Sequence, residues 1–187
     1  MKFAAGIIGF CVLAACGLTA CNPDTANTAR EQVRKQALDN VPLGAEAAKR
    51  NPSPTLREML NYALQDEYLA RAKYRMILEK YEQQKIFSNS WRTENKVIQA
   101  LLPLFKKYGI PVPKDNARYS VRLPGSLKQA YALGVQGELD NIAMYERFLK
   151  TNVPSDVKKV FSEIRDASKE HLAAFRRGLA QTVGNGK

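Results

Sequence analysis

The sequence predicts an all-α protein whose body is a bundle of four long helices. Apolar residues recur at three- and four-residue spacing over long stretches after residue 53. No segment alternates apolar and polar residues over a useful length, so no sheet is predicted. Two stretches also resemble each other, since Glu67 is followed seven residues later by Tyr74, and Glu138 seven residues later by Tyr145. Seven residues make about two helical turns, which places each tyrosine on the same helix face as its glutamate.

The first 20 residues predict a bacterial lipoprotein signal peptide. A basic start at Lys2 is followed by an apolar run and by small residues directly before Cys21. Cleavage there would leave Cys21 as the lipidated N-terminus. Cys16 fits the same pattern, but Cys21 is preferred because polar sequence follows it at once. An uncleaved N-terminal anchor helix is the alternative. Either form predicts a lipid- or membrane-anchored domain on the outer side of the cytoplasmic membrane, in the bacterial cell envelope.

Composition excludes several classes of site and partner. All three cysteines lie within the first 21 residues, so the body has neither a disulfide framework nor a cysteine-based zinc site. The formal net charge is +11, but the basic residues are spread along every predicted helix rather than gathered into one stripe. Nucleic acid is therefore not expected as a partner. An anionic lipid or cell-wall polymer suits this charge better. Protein partners are not indicated.

Residues 21–53 predict a tether between the signal and the body. The segment is polar, contains Pro42, Gly44 and Pro52, and has no strong apolar stripe, although some short helix could form in it. Residues 54–183 then predict the helical domain.

The first two helices are predicted at 54–83 and 88–108. Ser53 or Thr55 can cap the first, with Pro54 suited to a position in the first turn. The second ends at Gly109, and Pro103 inside it predicts either a kink or a break.

The last two helices are predicted at 126–151 and 154–182, the latter starting near Pro154 or Ser155. The short connections within each pair predict antiparallel neighbours. The connection 109–124 is long enough to cross back along the bundle before the third helix begins.

Four polar side chains lie near the middle of these helices, on their apolar faces. They are Glu67, Glu94, Glu138 and His171, the single histidine of the chain. A buried carboxylate without a partner costs several kcal/mol, so each needs a cation or a hydrogen-bond donor. Taken singly, each acid could be a boundary residue that reaches water, and the imidazole a hydrogen-bonded core residue. Taken together, they meet at one depth of an up-down bundle, which favours a site for iron, manganese or zinc.

The tyrosines at the matching positions admit two interpretations. Tyr74 and Tyr145 are either core aromatics with a solvated hydroxyl or partners that hold the metal-binding carboxylates in place.

Four separated segments resemble one known family. They are QDEYLA at 65–70, KYGIP at 107–111, GELDNI at 137–142 and S-x-x-H-L-x-x-F at 168–175. In this order they resemble the domain-of-unknown-function family 2202, which is similar to ferritin-like proteins and distantly to rubrerythrins. The resemblance covers about residues 54–181. It implies a ferritin-like four-helix bundle with a dinuclear metal centre, and bundles of this kind often form homodimers.

The resemblance also implies which ligands are missing. A complete centre takes one Glu from each of two helices and a Glu-x-x-His pair from each of the other two. Here Val97 occupies one histidine position and Ser168 one glutamate position. The resemblance therefore implies at most one well-formed metal site, near Glu138 and His171 with Glu94 as a possible bridging ligand.

The other half of the implied centre keeps Glu67 and would bind a second metal weakly or not at all. Asp66, Asp140 and Glu170 could substitute as ligands, but their helical phase directs them away from the first four.

The implied functions are binding of iron or its oxidation by oxygen or peroxide. The alternative is a metal-free, anchored structural or interaction bundle, favoured by Val97 and Ser168.

Overall fold

In the computed structural model, which describes residues 42–184, all regular secondary structure is helical. The helices are α1 (Gly44–Arg50), α2 (Leu56–Tyr81), α3 (Lys85–Lys107), α4 (Ala117–Ser120), α5 (Leu127–Leu149) and α6 (Ser155–Gly184). The predicted all-α class and the four long helices are thereby confirmed. Within this range no helix has the length and apolarity needed to cross a membrane. The predicted signal peptide at 1–20 and the predicted lipid attachment at Cys21 lie outside the described residues.

Local sequence signals fix where the long helices begin. Thr55, rather than Ser53, caps α2, because its hydroxyl accepts the backbone N–H of Glu58 while the Glu58 carboxylate accepts the N–H of Thr55 at 2.7 Å. This reciprocal arrangement satisfies two backbone donors at the helix start. Ser126 caps α5 in a similar way through the N–H of Gln129.

The C-terminus of α3 follows the prediction made for Gly109. Gly109 has a φ of 61°, and the N–H of Ile110 donates back to the carbonyl of Phe105 at 2.9 Å. A left-handed residue followed by this bond is a usual way to end a helix. Upstream, α3 continues without interruption through Pro103, so a break there, one of the two predicted possibilities, is wrong.

The four long helices pack as antiparallel neighbours. Contacts join α2 to α3, α3 to α6, α6 to α5 and α5 to α2. The direction follows from paired side chains: Tyr74, late in α2, contacts Phe87, early in α3, and Tyr131, early in α5, contacts Phe175, late in α6. Tyr74 also pairs with Glu138, and Tyr145 with Glu67, so α5 is antiparallel to α2 and runs parallel to α3.

The connection from α3 to α5 therefore returns along the bundle. Near its start the Tyr108 hydroxyl donates to Asp156 at the beginning of α6. In its middle, α4 packs on α2, and Arg71 pairs with Asp115. Near its end the Tyr81 hydroxyl donates to the carbonyl of Pro124 at 2.8 Å.

Part of the segment predicted as a tether is a short helix that packs on the bundle. Helix α1 lies within residues 21–53 and packs on α2 and α5, with Ala45 and Ala48 buried. Tertiary contacts hold it, since the Ala45 N–H donates to Asp66 at 2.8 Å and Arg147 donates to carbonyls at its C-terminal end. A seven-residue helix is marginal without such contacts, which explains why the sequence pattern did not reveal it.

Two apolar clusters fill the bundle, one on each side of a polar layer. The larger contains Leu64, Phe105 and Phe161, and the smaller contains Phe87 and Phe175. Along α3, α5 and α6, the middle polar residue separates residues of one cluster from residues of the other, and on α2 the change of cluster comes shortly after Glu67. The polar layer is thus enclosed above and below by apolar side chains, which lowers the local dielectric.

A matched pair of glycine substitutions tests the packing of α5 against α6. A methyl group at Gly178 would lie 2.3 Å from the Tyr131 ring, which stacks on Phe87, whereas at Gly137 the nearest atom would be Lys73 Nζ at 3.8 Å. We expect Gly178→Ala to lower the free energy of unfolding by about 1–3 kcal/mol through overpacking. Gly137→Ala should raise it by about 0.5–1 kcal/mol through helix propensity. Urea unfolding of both variants measures the difference, and equal stabilities would contradict the contact.

Candidate metal centre

The four polar side chains predicted to face inward are all buried in the described structure. Glu67 lies on α2, Glu94 on α3, Glu138 on α5 and His171 on α6, with residue exposures of 1%, 3%, 3% and 9%. Each comes from a different long helix, and each lies between the two apolar clusters. The sequence prediction that these residues are inward-facing agrees with this placement.

Three of the four converge on one point. His171 Nδ1 lies 3.2 Å from Glu94 Oε1 and 3.4 Å from Glu138 Oε1, and the three ligand atoms all lie within 4.8 Å of one another. Around a metal with bonds of about 2.1 Å, adjacent ligand atoms are separated by roughly 3.0–3.4 Å. Both distances from the imidazole therefore match the edges of a coordination polyhedron.

The imidazole nitrogen that faces this point lacks a hydrogen bond. Its two distances to carboxylate oxygens are short enough, yet neither contact has hydrogen-bond geometry, and His171 Nδ1 is a buried atom without a partner among the described residues. A buried polar atom without a partner is uncommon and calls for a physical cause. Two carboxylate oxygens and one imidazole nitrogen are also the donors preferred by iron, manganese and zinc. The residues present therefore fit a divalent metal.

Without a metal, a proton on the imidazole supplies the cation that the carboxylates need. Burial acts to lower the pKa of His171, but the facing carboxylates of Glu138 and Glu94 outweigh it and raise that pKa to about 10. Burial raises the pKa of Glu138, an effect that His171 partly offsets. The imidazolium and the carboxylates therefore form an ion pair that a metal would replace.

Glu67 lies beside this group of three but is not part of it. Its Oε1 accepts the Tyr145 hydroxyl at 2.9 Å and the Asn141 side-chain amide at 3.1 Å. Burial and the neighbouring Glu94 charge raise the pKa of Glu67 well above its ordinary value. Glu67 is therefore held as a hydrogen-bonded and readily protonated group next to the three converging ligands.

The two tyrosines cross between the related helices. Tyr74 on α2 donates to Glu138 on α5 at 2.6 Å, and Tyr145 on α5 donates to Glu67 on α2. Each therefore binds the glutamate of the other repeat, not the one seven residues before it. Burial raises the pKa of both hydroxyls well above the ordinary value, so they remain donors. Of the two predicted interpretations, partnership with the carboxylates agrees with these contacts, since neither hydroxyl reaches solvent.

Three further polar residues belong to the layer, and sequence reasoning missed the role of each. Asn141 donates to Asp66 at 2.8 Å as well as to Glu67, and accepts the Ser168 hydroxyl at 2.7 Å. Ser168, at the position where the resemblance implies a carboxylate, is thus a neutral hydrogen-bond donor. The available signal was the position of Asn141, one helical turn after Glu138 on the same face.

The residues considered as substitute ligands, Asp66, Asp140 and Glu170, do not belong to the group of three converging side chains. Glu170 is exposed, and Asp140 pairs with Lys49 at 2.9 Å near the surface. Asp66 lies outside the group of three but turns inward, where it accepts the Ala45 N–H, and burial raises its pKa. Val97 is buried in the larger apolar cluster and supplies no ligand.

A cavity of about 150 Å³ adjoins the layer between α1, α2 and α5. Its buried end is lined by Glu67, Glu94 and Glu138, and its outer part by Glu46 and Asp140. His171 does not line it, so the imidazole lies behind the carboxylates as seen from this cavity.

Comparisons with known proteins identify relatives of this chain. A family model described as an uncharacterised protein domain, DUF2202, matches residues 57–186. The uncharacterised protein MJ0754 of Methanocaldococcus jannaschii is 28% identical over 130 residues, covering 62% of this chain and 70% of that protein. The crystal structure of the hypothetical protein MJ0754 has a TM-score of 0.62 and 26% identity, covering 70% of this chain and 84% of that chain.

The ionisation of His171 can be followed directly, because it is the single histidine of the chain. In metal-free protein we expect its NMR signals to titrate near pH 10. The pKa of His171 in the folded protein lies above its ordinary value of 6.5. The ion pair therefore stabilises the fold fully below pH 6.5, and this stabilisation is lost as the pH rises through about 10. In Glu138→Gln the pKa should fall markedly, because one negative charge is gone while burial remains. Glu170→Gln, with its exposed side chain, is the control, and a wild-type pKa near 6.5 would contradict the pairing.

Proposed function

The chain belongs to the DUF2202 family, and from this premise we propose that it is a ferritin-like metal-binding protein of the cell envelope. The observation that carries the proposal is the buried Nδ1 of His171, which makes no hydrogen bond among the described residues and faces oxygens of Glu94 and Glu138 at 3.2 and 3.4 Å. The metal is one divalent transition ion, with iron first and manganese or zinc as the alternatives.

The helix directions support the ferritin-like arrangement. All neighbouring long helices are antiparallel, and the connection between α3 and α5 returns along α2. A bundle with one long crossover of this kind is the ferritin-like topology. Its polar layer takes one side chain from each helix, which is where such bundles build their sites.

The ligand set supports one metal rather than two. Glu94, Glu138 and His171 converge, whereas Glu67 is held by Tyr145 and Asn141. Val97 and Ser168 remove one imidazole and one carboxylate from a complete set. Bound iron would supply Lewis acidity and one-electron chemistry toward oxygen or peroxide. Around it, Tyr74 orients Glu138, and Glu67 is a buried group able to hold a proton.

The location and assembly are part of the same proposal. The predicted lipid at Cys21 would anchor the chain to a membrane of the bacterial envelope, with the helical domain on the extracytoplasmic side. A homodimer is the expected assembly, and no nucleic acid partner is expected.

A second function, a metal-free anchored bundle for structural or interaction purposes, is favoured by the hydrogen bonds of the layer. Tyr74 and Tyr145 donate to Glu138 and Glu67, and a protonated His171 faces Glu94 and Glu138 without any metal. These bonds give the buried carboxylates partners even when no metal is bound. Measurement of the metal content therefore distinguishes the two functions.

Metal content and its dependence on the proposed ligands test the two functions. Full-length protein freed of metal is loaded anaerobically with Fe²⁺, Mn²⁺ or Zn²⁺ in separate samples and analysed for bound metal. We expect about one ion per chain and a raised melting temperature, because a ligand that binds only the folded state stabilises it. Negligible metal after loading, with an unchanged melting temperature, would favour the metal-free function.

A graded set of variants identifies the ligands. His171→Ala should weaken binding by more than the roughly 10–100-fold typical of losing an outer hydrogen-bond partner, and Tyr74→Phe should fall within that range. Glu170→Gln, on the same helix but exposed, should bind as the wild type does. Circular dichroism checks that helix content is retained. Equal metal affinity of His171→Ala and Glu170→Gln would contradict the proposed site.

A further inference from the structure

The cavity next to the polar layer joins the protein surface to the converging ligands. At its outer part lie Glu46 and Asp140, whose side chains are 55% and 30% exposed. At its inner end lie Glu94 and Glu138, each 3% exposed. One continuous cavity of about 150 Å³ thus touches both solvent-exposed and deeply buried acids.

The charges along this cavity favour a cation. Of the described residues, six acids and one cation, Lys73, line it, and Lys49 pairs with the two outer acids, Glu46 and Asp140. Lys73 makes no ion pair among residues 42–184, although its charge partly offsets the burial that raises the pKa of Asp66. A cleft lined by one sign of charge between low-dielectric walls concentrates ions of the opposite sign.

The walls of the cavity are formed by small residues where the helices meet. Ala45 on α1, Ala70 on α2 and Gly137 on α5 line it, and a methyl group at Gly137 would still be 3.8 Å from Lys73. A larger side chain at these positions would close the passage. Helix α1 forms one side of this passage and is held there by Asp66 and by the pairing of Lys49 with Asp140.

We propose that this cavity is the route by which a divalent cation reaches Glu94, Glu138 and His171, and that α1 forms its outer wall. A cation that follows it meets the two carboxylates first and the imidazole behind them, since His171 does not line the cavity. This inference rests on the proposed metal site, and the size of the cavity restricts the route to hydrated ions and small molecules.

Steric closure of the route is the first test. Loading of metal-free, full-length protein with Co²⁺ is followed by stopped-flow absorbance, and release is followed after addition of a chelator. Ala70→Leu should slow loading and release by the same factor, about tenfold or more, because a barrier on a path changes both rates and leaves the equilibrium unchanged. Ala72→Leu, an equally partly buried alanine of α2 that does not line the cavity, should change neither rate.

Charge is the second test, and it does not depend on whether the larger side chain is tolerated. Lys73→Gln should accelerate Co²⁺ loading by about two- to fivefold at low salt, and high salt should abolish the difference. Lys80→Gln, an exposed lysine of the same helix outside the cavity, is the matched control.

The outcomes separate this inference from the proposed function. If wild-type protein binds no Co²⁺, Fe²⁺ or Zn²⁺ at equilibrium, the metal site itself is wrong and the route falls with it. If the wild type binds metal but Ala70→Leu and Lys73→Gln load at wild-type rates, the site stands and the route is overturned. Slower loading in Ala70→Leu together with faster loading in Lys73→Gln supports it.

Discussion

Burial of three glutamates and one histidine in a single layer is the constraint on which the rest of this structure depends. Each buried carboxylate must find a cation, a proton or several donors, because an unpaired one costs several kcal/mol. The structure uses all three solutions: His171 faces Glu94 and Glu138, a raised pKa favours protonation of Glu67, and Tyr74 donates to Glu138. Apolar clusters above and below the layer lower the local dielectric, which strengthens every one of these interactions.

The two repeats contribute to this layer in a reciprocal but unequal way. Tyr74 and Tyr145 exchange partners across α2 and α5, so the helix pair is held together by two long-range hydrogen bonds near its middle. Beyond them the equivalence fails. Glu138 faces an imidazole, whereas Glu67 faces the amide of Asn141. One half of the layer thus holds three converging donors that could bind a metal, and the other is a hydrogen-bonding network around Glu67.

Periodicity in the sequence was sufficient to predict the long helices and the depth of the polar layer. In an up-down bundle the apolar face of each helix packs against the interior. A glutamate on that face in the middle of a helix is therefore buried, and its burial follows from the pattern. The distances between these buried side chains do not follow from the sequence pattern. Whether Glu67 joins Glu94, Glu138 and His171 depends on helix rotation and side-chain rotamers, which are set by tertiary packing. Asn141 was missed because an amide carries no charge and its importance lies entirely in three cross-helix bonds.

Helix α1 shows the same limit for the fold, and it also connects the fold to the site. Its seven residues carry no apolar stripe long enough to predict a helix, and its stability comes from side chains of α2 and α5. Asp66 is the link, because its two carboxylate oxygens accept the Ala45 N–H of α1 and the amide of Asn141. Asn141 in turn donates to Glu67. The outer wall of the cavity and the buried acids are therefore parts of one hydrogen-bond network.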